Sequence, residues 1–214
     1  MADRRQTLHS RTTKAVWLGL WGVLLSACSG AQVVVPLEFP VPLVRTLPVN
    51  MAWHLDDELT GYVHRESLEK SGNFAIDLGA AQQPMFDNLS RGMFASHTFL
   101  KQSSADGSVN GVLKPSIEEL QFSTPKQTRT DYYEVWIRYK VELFDPDGTL
   151  RGDWPLTAYG KANVQNYGMN TAGPALQAAA IAACRDAMAY FALHFEKVPV
   201  VKDWLSEQNL GVSP

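Results

Sequence analysis

Residues 133 to 162 constrain the fold more than any other part of the chain. Tyr133, Val135, Ile137, Tyr139, Val141 and Leu143 alternate with Glu134, Trp136, Arg138, Lys140 and Glu142. A period of two belongs to a strand, because successive side chains point to opposite faces. Asp145-Pro146-Asp147-Gly148 follows as a turn, in which proline fixes φ and glycine permits φ > 0. The chain then returns with Trp154, Leu156, Ala158, Gly160 and Ala162 as a small or apolar face. At about 3.3 Å per residue, each arm of this hairpin spans roughly 40 Å. Such an arm is predicted to project beyond its sheet or curl over neighbouring helices.

The other segments supply partners. Met51 to Leu55 reads as a short strand, and Asp56 to Glu58 as a helical turn or loop. Phe74, Ile76 and Leu78 alternate with Ala75 and Asp77, giving a half-buried strand. Met85, Phe86, Leu89, Met93 and Phe94 recur at helical spacing and predict a helix over about 81–96. His97 to Gln102 begins another strand, and 103–110 is a polar turn. Gly111 to Phe122 is a strand with Pro115 inside it, which places it at an edge or bulge. Ser123 to Arg129 reads as a polar loop. Pro174 opens a long helix to about Lys197, with Leu176, Ala180, Ala183, Ala187, Phe191 and Phe195 as its stripe. Its alanines let it lie close to a sheet. A short amphipathic tail follows, with Trp204 and Leu205 inward. The predicted fold is α+β: a two-layer sandwich, mostly antiparallel, with a long β-hairpin and two main helices on one face.

The first residues carry a different signal. Arg4, Arg5, Arg11 and Lys14 precede an uncharged apolar run from Ala15 to Leu25. That run covers about half of a ~30 Å hydrocarbon core, so it suits a secretory leader better than a membrane span. It ends in Leu25-Ser26-Ala27-Cys28, which resembles the lipobox of bacterial lipoproteins. Small side chains admit the backbone to a peptidase, and the thiol accepts the lipid. The bland alternatives are an uncleaved anchor or an ordinary signal peptide. The expected organisation is a cleaved signal peptide at 1–27, a lipidated N-terminus with a Pro-rich tether at 28–50, and one periplasmic domain at 51–214. Val33 to Val35 and Leu43 to Val44 could lie on the domain as an edge segment. One acyl chain binds membranes reversibly; the two or three chains of the lipobox pattern, palmitate among them, hold permanently. Ser29 in place of an aspartate resembles the signal for export to the outer membrane, facing the periplasm of a Gram-negative cell.

The chain has a formal charge of −3, which becomes −6 without residues 1–27 and their four positive and one negative charges. No basic stripe marks a nucleic-acid partner. With Cys28 lipidated, only Cys184 remains, so no internal disulfide forms. No cofactor is expected beyond the covalent lipid on Cys28.

Catalytic patterns are sparse. His54, Asp56, Asp57, Glu58 and His64 are metal-ligand types, but their spacing matches no zinc pattern and a solvated loop accounts for them. Asp145, Asp147, Thr149 and Asp153 sit at calcium-loop offsets, yet Leu156 stands where a bidentate Glu is needed. No metal site is expected. Cys184 reads as a small buried hydrophobe. Tyr132, Trp136 and Phe144 fall on the polar face of the long strand, beside Arg138 and Lys140, with Tyr159 on its partner. Either the tether or a helix covers that face, or Tyr132, Trp136, Arg138, Lys140 and Tyr159 form an interaction surface.

FAIDLGAAQQPMFDNLSRGMF (74–94), YEVWIRYKVELFDPDG (133–148) and LQAAAIAACRDAMAYFALHF (176–195) follow the lipobox in an order similar to that of small Gram-negative outer-membrane lipoproteins. These include auxiliary lipoproteins of envelope ABC transporters and the small lipoprotein that plugs the lipopolysaccharide translocon. The resemblance is one of pattern and carries over no site residue except Cys28. It implies a non-catalytic accessory subunit of an envelope transport or assembly complex, with an envelope protein partner and a homo- or hetero-oligomer as options. Two other readings make structural predictions. A lipid or glycan carrier needs a sizeable apolar cavity beside Met85, Phe86, Met93 and Phe191. A cell-envelope hydrolase needs ionisable side chains, such as His54, His64, His97 and His194, to meet in one cleft.

Overall fold

Hydrophobic alternation and helical spacing resolve into two layers. The computed structural model describes residues 30–69, 71–105, 107–168 and 172–208. In chain order the first half holds β1 (Gln32–Val34), β2 (Leu47–His54), α1 (Asp57–Thr60), β3 (Val63–Leu68), β4 (Gly72–Asp77), α2 (Gly79–Met93) and β5 (Phe94–Leu100). The second half holds β6 (Gly111–Ser123), α3 (Pro125–Thr128), β7 (Tyr132–Phe144), β8 (Leu150–Asn163), α4 (Ala172–His194) and α5 (Pro199–Glu207), with a 3₁₀ turn at Val164–Tyr167.

The main sheet has the order β5-β2-β6-β7-β8, and a smaller one has the order β1-β4-β3. The architecture is an α+β sandwich. Most paired residues are antiparallel, in β6–β7 and β7–β8. Strand β2, however, runs parallel to both of its neighbours. The reason is the β2–α2–β5 connection, a helical crossover that returns the chain in the same direction. The hairpin does not project: β7 is paired with β6 on one side and β8 on the other along nearly its whole length.

Inward residues of β7 and β8 meet α4 across a close contact. A Cβ on Gly160 would press on the Ala179 carbonyl and the Ala183 amide, and would lie 2.8 Å from the Ala182 carbonyl carbon. The buried alanines of α4 (Ala175, Ala179, Ala180, Ala183, Ala187) make that approach possible. Trp53 lies at the centre of the core, 4.5 Å from Phe86 and 5.7 Å from Phe191 between ring centroids. Its Nε1–H donates to Ser90 Oγ at 2.6 Å, and the Ser90 hydroxyl donates to the Phe86 carbonyl. The Tyr139 hydroxyl donates to Gln82 Oε1 at 3.2 Å, and Gln82 Nε2 donates to the Leu78 carbonyl. These buried polar groups each have a partner, as burial requires; Trp204 Nε1 is buried without one.

Several boundaries differ from the sequence reading. The helix predicted to Ser96 ends at Met93 and passes directly into β5, because Phe94 fits a helical stripe and a buried strand start equally well. Strand β3, VHRESL, is half-exposed and too polar to be recognised. The polar loop at 123–129 contains α3, closed by a Thr124–Gln127 capping box. Strand β6 is an inner strand only from Gly111 to Leu113; Pro115 lies beyond its pairing with β2, and a bulge follows between Ile117 and Glu119.

The expected tether is not a free linker over its described length. Ala31, Val33, Val35, Phe39, Leu47 and Val49 are buried, and β1 pairs with β4. Proline does enforce extended backbone here, but that backbone is strapped along the helices. Gln177 Nε2 donates to the Val34 carbonyl, Pro42 lies against Gly92, and Arg45 pairs with Glu196 at 2.6 Å. Cys28 and the Leu25-Ser26-Ala27 segment lie outside the described residues.

Cys184 is fully buried, and burial pushes its thiol up to about 12 from an ordinary 9.0. The folded value exceeds the unfolded one, so this contribution to stability is complete below pH 9 and is lost as pH rises toward 12. At pH 8 a thiol reagent is expected to label Cys184 only at the rate of unfolding, and stopped-flow absorbance against denaturant concentration checks this. Rapid labelling of the native protein would contradict it.

Candidate interaction surface

The period of two that buries Tyr133, Val135 and Ile137 turns Tyr132, Glu134, Trp136, Arg138 and Lys140 to the opposite face of β7. Register then decides which side chains meet. Trp136 pairs with Tyr159, Arg138 with Thr157, and Lys140 with Pro155. The Trp136 and Tyr159 rings lie 5.2 Å apart at 39°. Tyr159 Oη donates to Glu134 Oε1 at 2.6 Å. That hydrogen bond, then desolvation and the carboxylate charge, raises the phenol to about 12. The contact is complete below the ordinary value of 10.0 and is lost as pH rises toward 12.

Charged groups frame the aromatic pair. Arg138 Nη2 reaches Glu119 at 2.7 Å, and its Nε reaches Glu118 at 3.2 Å. The bulge in β6 brings two consecutive glutamates to one arginine. Lys140 sits between Glu142 at 3.3 Å and Asp153 at 3.4 Å, and Glu142 first, then Asp153, raises its pKa. Lys161 Nζ lies 5.1 Å from the Tyr132 ring centroid. A shallow depression of about 310 Å³ opens on this face, lined by Glu119, Gln121, Trp136, Ile137, Arg138 and Thr157. Its lining comes entirely from β6, β7 and β8, and Tyr159 is 36 % exposed. Among the described residues, neither a helix nor the strap closes it. The five sequence-predicted residues therefore share one face. Glu118, Glu119, Gln121 and Thr157 were not singled out in the sequence, since only pairing register brings them alongside.

The free edge of β8 is blunted. The Tyr159 amide donates to Asp186 Oδ2 of α4 at 2.9 Å, and Pro155 has no amide hydrogen to offer. These are the usual defences of an edge strand. An added strand would find no free amide hydrogen at these two positions.

The other candidate chemistry disperses. His54 Nδ1 lies 3.3 Å from the Leu100 carbonyl, His64 lies by Glu66, His97 pairs with Asp87 at 2.8 Å, and His194 stacks on Tyr190. These histidines belong to β2, β3, β5 and α4, and each has its own local partner, so no shared cleft of the hydrolase kind forms from them. Asp56 caps α1 through the Leu59 amide and approaches Lys114 at 3.6 Å. In the calcium-like segment, Asp147 accepts from the Thr149 amide, which lowers its pKa, and Asp145 accepts from Arg151. Among the described residues no group of three or more His, Cys, Asp or Glu could hold a metal ion. The space expected of a carrier is filled. Beside Met85, Phe86 and Phe191 the void is about 10 Å³, too little for a lipid chain.

No protein-family model matches the chain, and no curated protein matches it. Solved structures give distant likenesses. A DUF330 protein from Xanthomonas campestris aligns over 85% of this chain and 95% of its own, with 10% identity and a TM-score of 0.45. A candidate lipoprotein from Caulobacter crescentus aligns over 61% of this chain and 84% of its own, with 14% identity and a TM-score of 0.40. At such identities and TM-scores, function is read from the chain's own residues.

Proposed function

We propose that this chain is a lipid-anchored adaptor of the Gram-negative outer membrane. It faces the periplasm and docks an envelope transport or assembly protein on the outer face of β6, β7 and β8. The observation that carries this reading is the uncovered Trp136–Tyr159 pair. A cross-strand aromatic pair adds at most about 1 kcal/mol to a water-exposed sheet face, whereas aromatic and arginine anchors are what protein interfaces use. The blunted β8 edge directs docking to the face.

Anchoring rests on the lipobox-like Leu25-Ser26-Ala27-Cys28. No helix among the described residues is long and apolar enough to cross a membrane. The protein works by holding its partner, not by turnover. The test is the intact mass of protein extracted from membranes. The expected species begins at Cys28 and carries acyl chains, while Cys28→Ser accumulates as an unprocessed, unacylated precursor. Cleavage at another residue, or a mass with no acyl chains, would refute the anchor.

A further inference from the structure

The way the chain enters the fold fixes which end of the domain meets the bilayer. Cys28 precedes Gly30 by two residues, which span no more than about 7 Å. Gly30 is already packed, with no room for a Cβ against the Asn73 backbone, and the Ala31 carbonyl accepts from the Ala75 amide at 2.9 Å. No slack is left for the domain to stand away from its lipid.

The surroundings of Gly30 can be followed through contacts. Phe74, next to Asn73, meets Phe122 at 5.1 Å between centroids. Phe122 is the penultimate residue of β6, and α3 follows with Lys126 in it and Arg129 at its C-cap. Asp131 just beyond accepts from the Val164 amide and from Gln165 Nε2, which joins the 3₁₀ turn to the same end. There an open groove of about 800 Å³ lies between β8 and α4, with Tyr132, Lys161, Tyr167 and Arg185 in its lining. Lys126, Arg129, Lys161 and Arg185 thus gather at the anchored end of a chain whose mature charge is −6. Of the acids at this end, Asp131, Glu134 and Asp186 are each hydrogen-bonded within the domain, Glu66 lies cross-strand from Phe74 and 3.4 Å from His64, and Glu69 follows β3 in the turn toward Gly72. The opposite end is acidic: Asp145, Asp147, Asp153, Asp203 and Glu207 outnumber Arg151, Lys202 and the Lys140 that pairs with Asp153.

We infer that the end bearing α3 and the 164–167 turn rests on the anionic phospholipid headgroups of the bilayer that holds Cys28. Tyr132 and Tyr167 suit the polar–apolar boundary, and the cations suit the phosphates. The face carrying Trp136 then stands away from the membrane plane, open to a partner. This orientation rests on the proposed anchor.

The test uses the full lipidated protein in phosphatidylethanolamine–phosphatidylglycerol vesicles. An environment-sensitive fluorophore is placed at Thr130→Cys or at Asp147→Cys, and intact mass is measured on the same samples. The expected result is headgroup-level quenching at position 130, with position 147 fully aqueous. The double variant Lys161→Glu, Arg185→Glu, or vesicles of phosphatidylcholine alone, should reduce the docked fraction about fivefold or more. Acyl chains present with position 130 as aqueous as position 147 would overturn the orientation and leave the anchor standing. Absence of acyl chains would remove both.

Discussion

Gly160→Val is expected to cost about 3 kcal/mol or more. In a chain of this size that lowers the melting temperature by roughly 10 °C. The reason is geometric. Gly160 faces inward between Ala158 and Ala162, where α4 passes so close that the Ala179 carbonyl and Ala183 amide occupy the place of a side chain. Backbone cannot rotate away as the end of a flexible side chain can. Either the helix lifts, opening voids around Ala180 and Ala183, or β8 bends and loses pairing with β7. A second glycine is the control. Among the described residues, nothing lies within 4 Å of the Cβ position of Gly173, in the first turn of α4. Gly173→Ala should therefore stabilise by about 0.5–1 kcal/mol through the unfolded chain. Thermal unfolding followed by circular dichroism measures both. Equal effects from the two substitutions would show that α4 does not approach the sheet as described.

Trp136→Ala is expected to leave the fold nearly intact and to weaken partner binding about thirtyfold or more, the effect of losing an interface anchor worth about 2 kcal/mol. The stability cost should be about 1 kcal/mol or less, since the side chain loses one cross-strand aromatic contact and creates no core cavity. Tyr159→Phe separates the ring from its hydroxyl. It keeps the ring contact with Trp136 and removes the hydrogen bond to Glu134. Its effect on binding should be smaller than that of Tyr159→Ala. The comparison is made by titrating the captured partner against each variant, with melting temperatures taken in parallel. If binding falls only in proportion to stability, the aromatic pair is structural.

Much of this architecture is legible in the residues themselves. The hairpin is readable because a period of two persists on both sides of a turn whose proline and glycine set its geometry. The close packing of α4 is readable because a run of alanines and the Ala158-Gly160-Ala162 face are both too small for anything but near contact. Other parts are not legible, for physical reasons. Strand β3 is only half-buried on its inner face, where His64 and Glu66 stand beside Leu68, so no apolar alternation marks it. Strand β1 has three residues, too few for a period to show; the apolar Val33 to Val35 marks an edge segment, but not its pairing with β4. The prolines of the strap announce extended backbone but not the burial of Phe39 or the contact of Pro42 with Gly92, which depend on where α2 ends. The candidate site divides in the same way. Alternation puts Trp136 and Tyr159 on polar faces, but their contact needs the register set by the 145–148 turn. The capping of the Tyr159 amide by Asp186 joins residues 27 positions apart and emerges only in three dimensions.

Site-specific photocrosslinking of the lipidated protein in intact cells tests the docking claim most directly. A photoreactive phenylalanine is placed at Thr157, beside Arg138 on the proposed face, and in a second strain at Leu193, exposed on α4. The account predicts one discrete envelope-protein adduct from position 157 that disappears with Trp136→Ala, and none from position 193. An adduct from position 193 with none from 157 would contradict it.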